Sequence, residues 1–165
     1  MDVISAYGHD VVVVREGAAE VVELAHGGAF HLLVDGGPTG GTFSANRLTL
    51  GEGADGAKPH FHTASSELFY VLAGEMEFLL GERLVTAARG SLIVVPPRVH
   101  AFGAAPDVTA DVLVIMAPGV ERFEYFRQLG RIAQELAAPD SLLPEQDRFD
   151  VHFADSAAWP RVRTR

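Results

Sequence analysis

Short runs of alternating apolar and polar residues fill the first two thirds of the chain, and the period then changes. Residues 11–14 are four valines, β-branched and too few for a helix, which predicts a strand. Residues 20–25 and 30–35 predict two more, joined around Gly27-Gly28. The glycine-rich break at 36–41 precedes a long strand over 42–50, and 51–56 reads as a loop. Residues 68–72 are apolar. Glu75-Met76-Glu77-Phe78 alternates, which predicts Met76 and Phe78 inward and both glutamates in water. Residues 79–83 turn the chain and 84–87 return. The continuous apolar run 92–95 predicts a strand covered on both sides, and 99–102 and 111–117 complete the set. Frequent short strands punctuated by Gly and Pro predict an all-β sandwich or barrel.

From 120 to 137 the apolar residues Val120, Phe123, Phe126, Leu129, Ala133 and Leu136 recur every three or four positions. Glu121, Arg122, Glu124, Gln128, Arg131 and Gln134 fill the other side, so the stretch predicts an amphipathic helix lying outside the barrel or at its mouth. Gly130 weakens it by about 1 kcal/mol relative to Ala. Pro139 and Asp140 stop it, Pro144-Glu145-Gln146 opens a further helical turn, and 156–165 reads as a tail anchored by Trp159.

Composition narrows the function. The chain has 165 residues, enough for one complete core and too few for two ordinary domains. With 22 Asp and Glu against 13 Lys and Arg, its formal charge of −9 argues against a nucleic-acid partner. There is no cysteine, so disulfides and thiolate metal sites are excluded. The N-terminus lacks a secretory pattern, and no stretch approaches the roughly 20 apolar residues that cross a bilayer. The expectation is a soluble cytoplasmic protein with no membrane partner.

The candidate chemistry lies between Pro59 and Gly74. His60 and His62 leave the same face of an extended strand, so both imidazoles reach one point. Thr63-Ala64-Ser65-Ser66 is small and polar enough to turn the chain and deliver Glu67 to the next strand. Two imidazoles and a carboxylate suit one divalent first-row metal. A fourth nitrogen, His100, follows the strand and proline stop of 90–97.

His-x-His-x4-Glu-x6-Gly, with Gly90-x5-Pro96 and a later His, resembles the paired motifs of the cupin superfamily. Arg98 stands where the second motif has glycine, His100 arrives one residue early, and Ala104 occupies the position that some members fill with Asn. The resemblance implies a double-stranded β-helix, the jelly-roll barrel, with a C-terminal amphipathic helix. Residues 1–41 would flank it, 42–118 would form it, and 119–165 would be helix and tail, one domain overall. It implies one divalent transition metal (Fe, Ni, Mn, Cu, Co or Zn) on His60, His62, Glu67 and His100, with Glu67 also open to a role as catalytic base. The implied activity is that of a quercetinase-like dioxygenase on a small aromatic or enol substrate. A redox-neutral isomerase or cyclase of polyketide type and a non-enzymatic ligand binder are the alternatives.

The remaining candidates carry no motif. His9, His26 and His31 read as surface or rim residues, and His152 as a tail residue that could cap the site. Arg98 reads as a solvated turn residue or a contact for an anionic substrate, and Arg47 as a strand residue able to face the interior. Phe69, Tyr70, Phe78, Phe102 and Met116 read as core, some of them lining the cavity. Leu68, Tyr70 and Leu72 share the face opposite Phe69 and Val71, which a second subunit would cover in a homodimer.

Overall fold

The computed structural model describes residues 2–6 and 9–163, with side chains from 11 to 160; the side chain of His9 and residues 164–165 lie outside it. β1 (Asp2–Ala6) and β2 (His9–Val13) form a separate antiparallel hairpin, whose second arm contains most of the valine run. Ten strands make the main sheet: β3 (Glu20–Glu23), β4 (Ala29–Val34), β5 (Ser44–Leu50), β6 (Asp55–Phe61), β7 (Ser66–Leu80), β8 (Arg83–Ala88), β9 (Leu92–Val95), β10 (His100–Ala104), β11 (Ala110–Ala117) and β12 (His152–Phe153).

β7 organises the barrel. It runs 15 residues through what the sequence divided into two strands. Its first half pairs with β9 and β11, and its second half pairs with β8 and β10. The strand therefore belongs to both layers of a curled antiparallel sheet. One layer carries β3, β4, β5 and β11, and the other carries β6, β10 and β12. The changeover falls at Gly74, whose φ of 70° lies in the left-handed region and where a Cβ would overlap the carbonyl oxygen of Thr109.

The two layers close on one core. Phe69 from the first meets Phe78 and Phe102 from the second at ring distances of 5.0 and 4.9 Å. Leu48, Val71, Met76, Val112 and Met116 are buried around them. The all-β jelly-roll barrel expected from the sequence is the observed fold.

Several outward positions differ from expectation. Tyr70 is not core: it is 44% exposed, and Leu92 and Val94 are 60% and 55% exposed on the neighbouring strand. Only one side of 92–95 is covered: Val95 is buried, while Leu92 and Val94 stand exposed on the other face. Arg47 points outward into an ion pair with Asp111 of β11. Glu77 is buried rather than solvated. It shares the face of Leu79, which packs under Trp159.

The C-terminal third folds back on the barrel. The amphipathic pattern becomes α1 (Phe123–Ala133), shorter at both ends than the pattern suggested, with Leu136 exposed beyond it. Asp35, at the end of β4, accepts from the backbone N–H groups of Arg122 and Phe123 at 2.7 and 3.2 Å and so caps the helix from another element. Phe126 packs against Phe30 of β4, with the rings tilted and their centres 4.4 Å apart. Gly130 is a close-packing residue, because a Cβ there would press into Val22. A 3₁₀ stretch (Pro139–Glu145) leads into α2 (Gln146–Phe149), and β12 then pairs with β6. The tail carries a helix, α3 (Ala158–Arg163), with Trp159 buried as expected. Among the described residues, no helix is long and apolar enough to cross a membrane.

Candidate metal centre

His60 ends on β6, His62 follows it, and His100 opens β10 directly opposite His60 in the ladder. All three come from one layer. Glu67, at the start of β7 where that strand pairs with β9 and β11, comes from the other. The four side chains are buried, and one ligand atom from each lies within 4.8 Å of the others. The imidazole centroids are 4.3 Å apart for His60 and His100, 5.0 Å for His60 and His62, and 5.5 Å for His62 and His100.

Hydrogen bonds behind the rings fix which nitrogen faces inward. Nδ1 of His60 contacts the carbonyl of Lys58 at 2.7 Å, that of His62 the carbonyl of Asp150 at 2.6 Å, and that of His100 the carbonyl of Arg98 at 2.9 Å. A carbonyl oxygen only accepts, so each Nδ1 bears the hydrogen and each Nε2 is the atom left for a ligand. Nε2 of His62 and of His100 lie 3.0 and 2.9 Å from the same oxygen of Glu67, Oε2. A neutral imidazole lone pair aimed at a carboxylate is stable only with something positive between them, either protons or a cation.

The electrostatics follow from that packing. Burial pushes the Glu67 carboxyl up, but its contacts with His100 and His62 outweigh burial and hold it well below the usual carboxylate range. Burial lowers His100, and the Glu67 carboxylate more than restores it. His60 has no such contact, and burial with the neighbouring His100 drives it down to about 3. One carboxylate and three rings locked by their Nδ1 bonds with Nε2 left for a ligand, His60 among them kept neutral, form a donor set that fits a divalent cation.

Asp150 supports this centre from the far end of the chain. Beyond the carbonyl that holds His62, its side chain accepts from the N–H of Thr63 at 2.7 Å, the hydroxyl of Thr63 at 2.6 Å and the N–H of Ala64 at 3.1 Å. The Thr63–Ser66 turn is thereby clamped, and Ser65 donates to the carbonyl of Pro118 at 2.7 Å. A cavity of about 320 Å³ opens beside His60 and Glu67, walled by Phe30, Leu48, Phe102 and, from α1, Tyr125 and Phe126. Arg122 reaches it just ahead of α1, its Nη1 at 3.9 Å from Glu67 Oε1.

Residues 46–116 match the model of the cupin domain family. This stretch is a small cupin domain. Its barrel is similar to that of the polyketide cyclase RemF from Streptomyces resistomycificus, with TM-score 0.54 and 21% identity over 66% of this chain and 80% of that one. A predicted oxalate decarboxylase from Thermotoga maritima aligns with TM-score 0.55 and 19% identity, over 64% and 97% of the two chains. A Streptomyces PAC13 variant with uridine aligns with TM-score 0.51 and 25% identity, over 72% and 87%. No curated protein matches the chain at a significant level.

The irregular second motif still brings His100 into the cluster, because β10 pairs with both β6 and β7. His26 is exposed and His31 half-buried, neither near the centre. His152 does not cap the centre: it stacks on Phe61 and contacts Asp150 at 3.2 Å. Arg98 stays exposed, and only its carbonyl serves, behind His100. Helical periodicity put Arg122 on the polar side, but it is buried. It sits at the cap with φ −128° and ψ 0°, so the helical wheel does not govern where its side chain goes. Tyr125 and Asp150 were likewise missed. The one local hint was the alternation in Asp150-Val151-His152-Phe153, which marks the strand that docks on β6.

Proposed function

We infer that this cupin is a metal-dependent enzyme for a small, largely apolar organic substrate, with His60, His62, Glu67 and His100 holding one divalent transition metal. The supporting observation is the set of three Nδ1–carbonyl bonds that leave every Nε2 free for a ligand, those of His62 and His100 facing Glu67. A cation held there supplies Lewis acidity toward a substrate oxygen and, if redox-active, one-electron chemistry. The chain supplies the rest. Phe102, Phe126 and Leu48 line the chamber with apolar surface that excludes water. Tyr125 keeps its proton, its hydroxyl pushed up to about 12 by burial, and so stands as a neutral donor on the wall. Arg122 places a permanent positive charge beside the reacting centre.

A neutral hydrogen-bond donor and a fixed cation on the wall are what stabilises a developing enolate, so isomerisation or cyclisation is the reading favoured here. The quercetinase-like dioxygenase is the second reading, supported by the aromatic lining of Phe30, Phe102 and Phe126, which suits a flat ring. Metal analysis of the purified protein, followed by turnover of enol and flavonoid substrates with and without oxygen, decides between them. Conversion that persists anaerobically supports the first reading, and stoichiometric oxygen uptake supports the second. Ligand binding without turnover under every divalent metal tried would leave a binding protein. The expected homodimer has its surface in the open face of Tyr70, Leu72, Leu92 and Val94. A monomer in sedimentation equilibrium would remove it.

A further inference from the structure

Arg122 is the one Arg or Lys side chain buried among the described residues, with 4% exposure. Its Nε and Nη1 meet no hydrogen-bond acceptor among those residues. The guanidinium carbon lies 5.3 Å from the ring centre of Tyr125 and 5.2 Å from that of Phe126. Asp35 pins the backbone at the same residue. The head group is held in place by rings and a cap, without the carboxylate fork that usually accompanies a buried arginine.

Among the described residues, Glu67 is the one anion within ion-pairing reach of the guanidinium, and at 3.9 Å it stands beyond hydrogen-bonding distance. The other Glu67 oxygen already faces His62 and His100. The negative charge of Glu67 is therefore committed to the histidine cluster and to any cation bound there. Arginine does not shed its proton, so Arg122 keeps a positive charge on the chamber wall that no hydrogen-bonded anion among the described residues neutralises. Lys58 and Asp55 stand at the exposed rim with opposite charges, so the buried Arg122 is the charge that sets the chamber. Such a chamber is completed by an anion that enters with the substrate.

We propose that Arg122 is the specificity-determining residue of this chamber, selecting substrates that carry a carboxylate on a largely apolar body over their neutral analogues. The proposal rests on the chamber being the substrate site inferred above. A planar carboxylate matches a single guanidinium in shape and charge. A phosphate dianion would bring a second charge that the single Arg122 guanidinium does not neutralise, among walls made largely of Phe30, Leu48, Phe102 and Phe126.

The test uses salicylate and its neutral counterpart salicylamide, titrated calorimetrically into the full-length protein. Both the protein as purified and a chelator-stripped sample are measured, with metal content determined for each. Stripped protein isolates the arginine, since salicylate can also chelate a metal. Wild type is expected to bind the acid about ten-fold or more tightly than the amide in the stripped form. Equal affinities overturn the proposal without any variant. Arg122→Gln is expected to erase the preference while leaving salicylamide binding in place, and a preference that survives in folded Arg122→Gln also overturns it. Should that variant fail to fold by circular dichroism, Arg122→Lys decides. A preference at least about three-fold weaker supports the proposal, and an unchanged preference refutes it. Acid preference in a protein that never retains metal would sink the metal reading alone. Metal retention with no acid preference would sink only the role of Arg122.

Discussion

Glu67 is a buried carboxylate held between two imidazoles that turn bare nitrogens toward it, and each neighbour depends on what sits between them. If that is a metal, Glu67→Gln and His62→Ala each weaken its retention by at least about 100-fold in competition with a chelator, while the barrel stays folded. Undiminished retention in both variants would remove the ligand assignment. Tyr125 offers a check that needs no metal. Burial lifts its hydroxyl from 10.0 to about 12, so the folded chain keeps a proton that the unfolded chain gives up earlier. Its contribution is complete below about pH 10 and is lost as pH rises toward 12. Denaturant midpoints across this range should show Tyr125→Phe removing about 1 kcal/mol of the alkaline decline at pH 11. The two halves of the site differed in legibility. His60, His62 and Glu67 were readable because strand period and a four-residue turn fix where those side chains go. Arg122 and Tyr125 were not, because a cap and a helix laid across the mouth bring them in.

At the level of elements, β7 explains both the success and the errors of the sequence reading. Its apolar runs were visible, but the gap read at Ala73-Gly74 is a bend within one strand that passes from layer to layer. Burial then follows each layer's neighbours rather than simple alternation. Glu77 is buried on the face it shares with Leu79, whose cluster includes Trp159, and Tyr70 stays 44% exposed on the outer face of its layer. The run 92–95 misled for the same reason: an apolar outer face is indistinguishable in sequence from one buried on both sides. Gly74→Ala tests the bend. With φ at 70° and the Thr109 carbonyl in the way of a Cβ, the variant should lose about 2–3 kcal/mol in chemical denaturation. Gly81→Ala, in the neighbouring hairpin with φ 65° and open space around it, should lose only about 1 kcal/mol. Equal losses would mean that β7 can bend elsewhere.

Across the whole molecule, the barrel and the centre are closed by chain that is far away in sequence. Leu142, Phe149 and Val151 are buried against the core, and β12 adds an edge strand beside β6. This return places Asp150 where its carbonyl orients His62 and its carboxylate clamps the Thr63–Ser66 turn. Burial pushes the Asp150 carboxyl up, yet the Thr63 and Ala64 donors outweigh it and hold the group below its usual value. Its stabilisation is therefore present above the ordinary Asp range and lost as pH falls through it. Asp150→Ala keeps the carbonyl but frees the turn, leaving two backbone N–H groups and one hydroxyl to find water. The expected cost is about 2–4 kcal/mol in denaturant unfolding, with metal affinity about ten-fold weaker because His62 loses its fixed orientation. Asp150→Asn, able to accept through one oxygen, should lie between wild type and Ala on both scales. A variant as unstable as this but with unaltered metal affinity would show that the C-terminal return stabilises the barrel without orienting the centre.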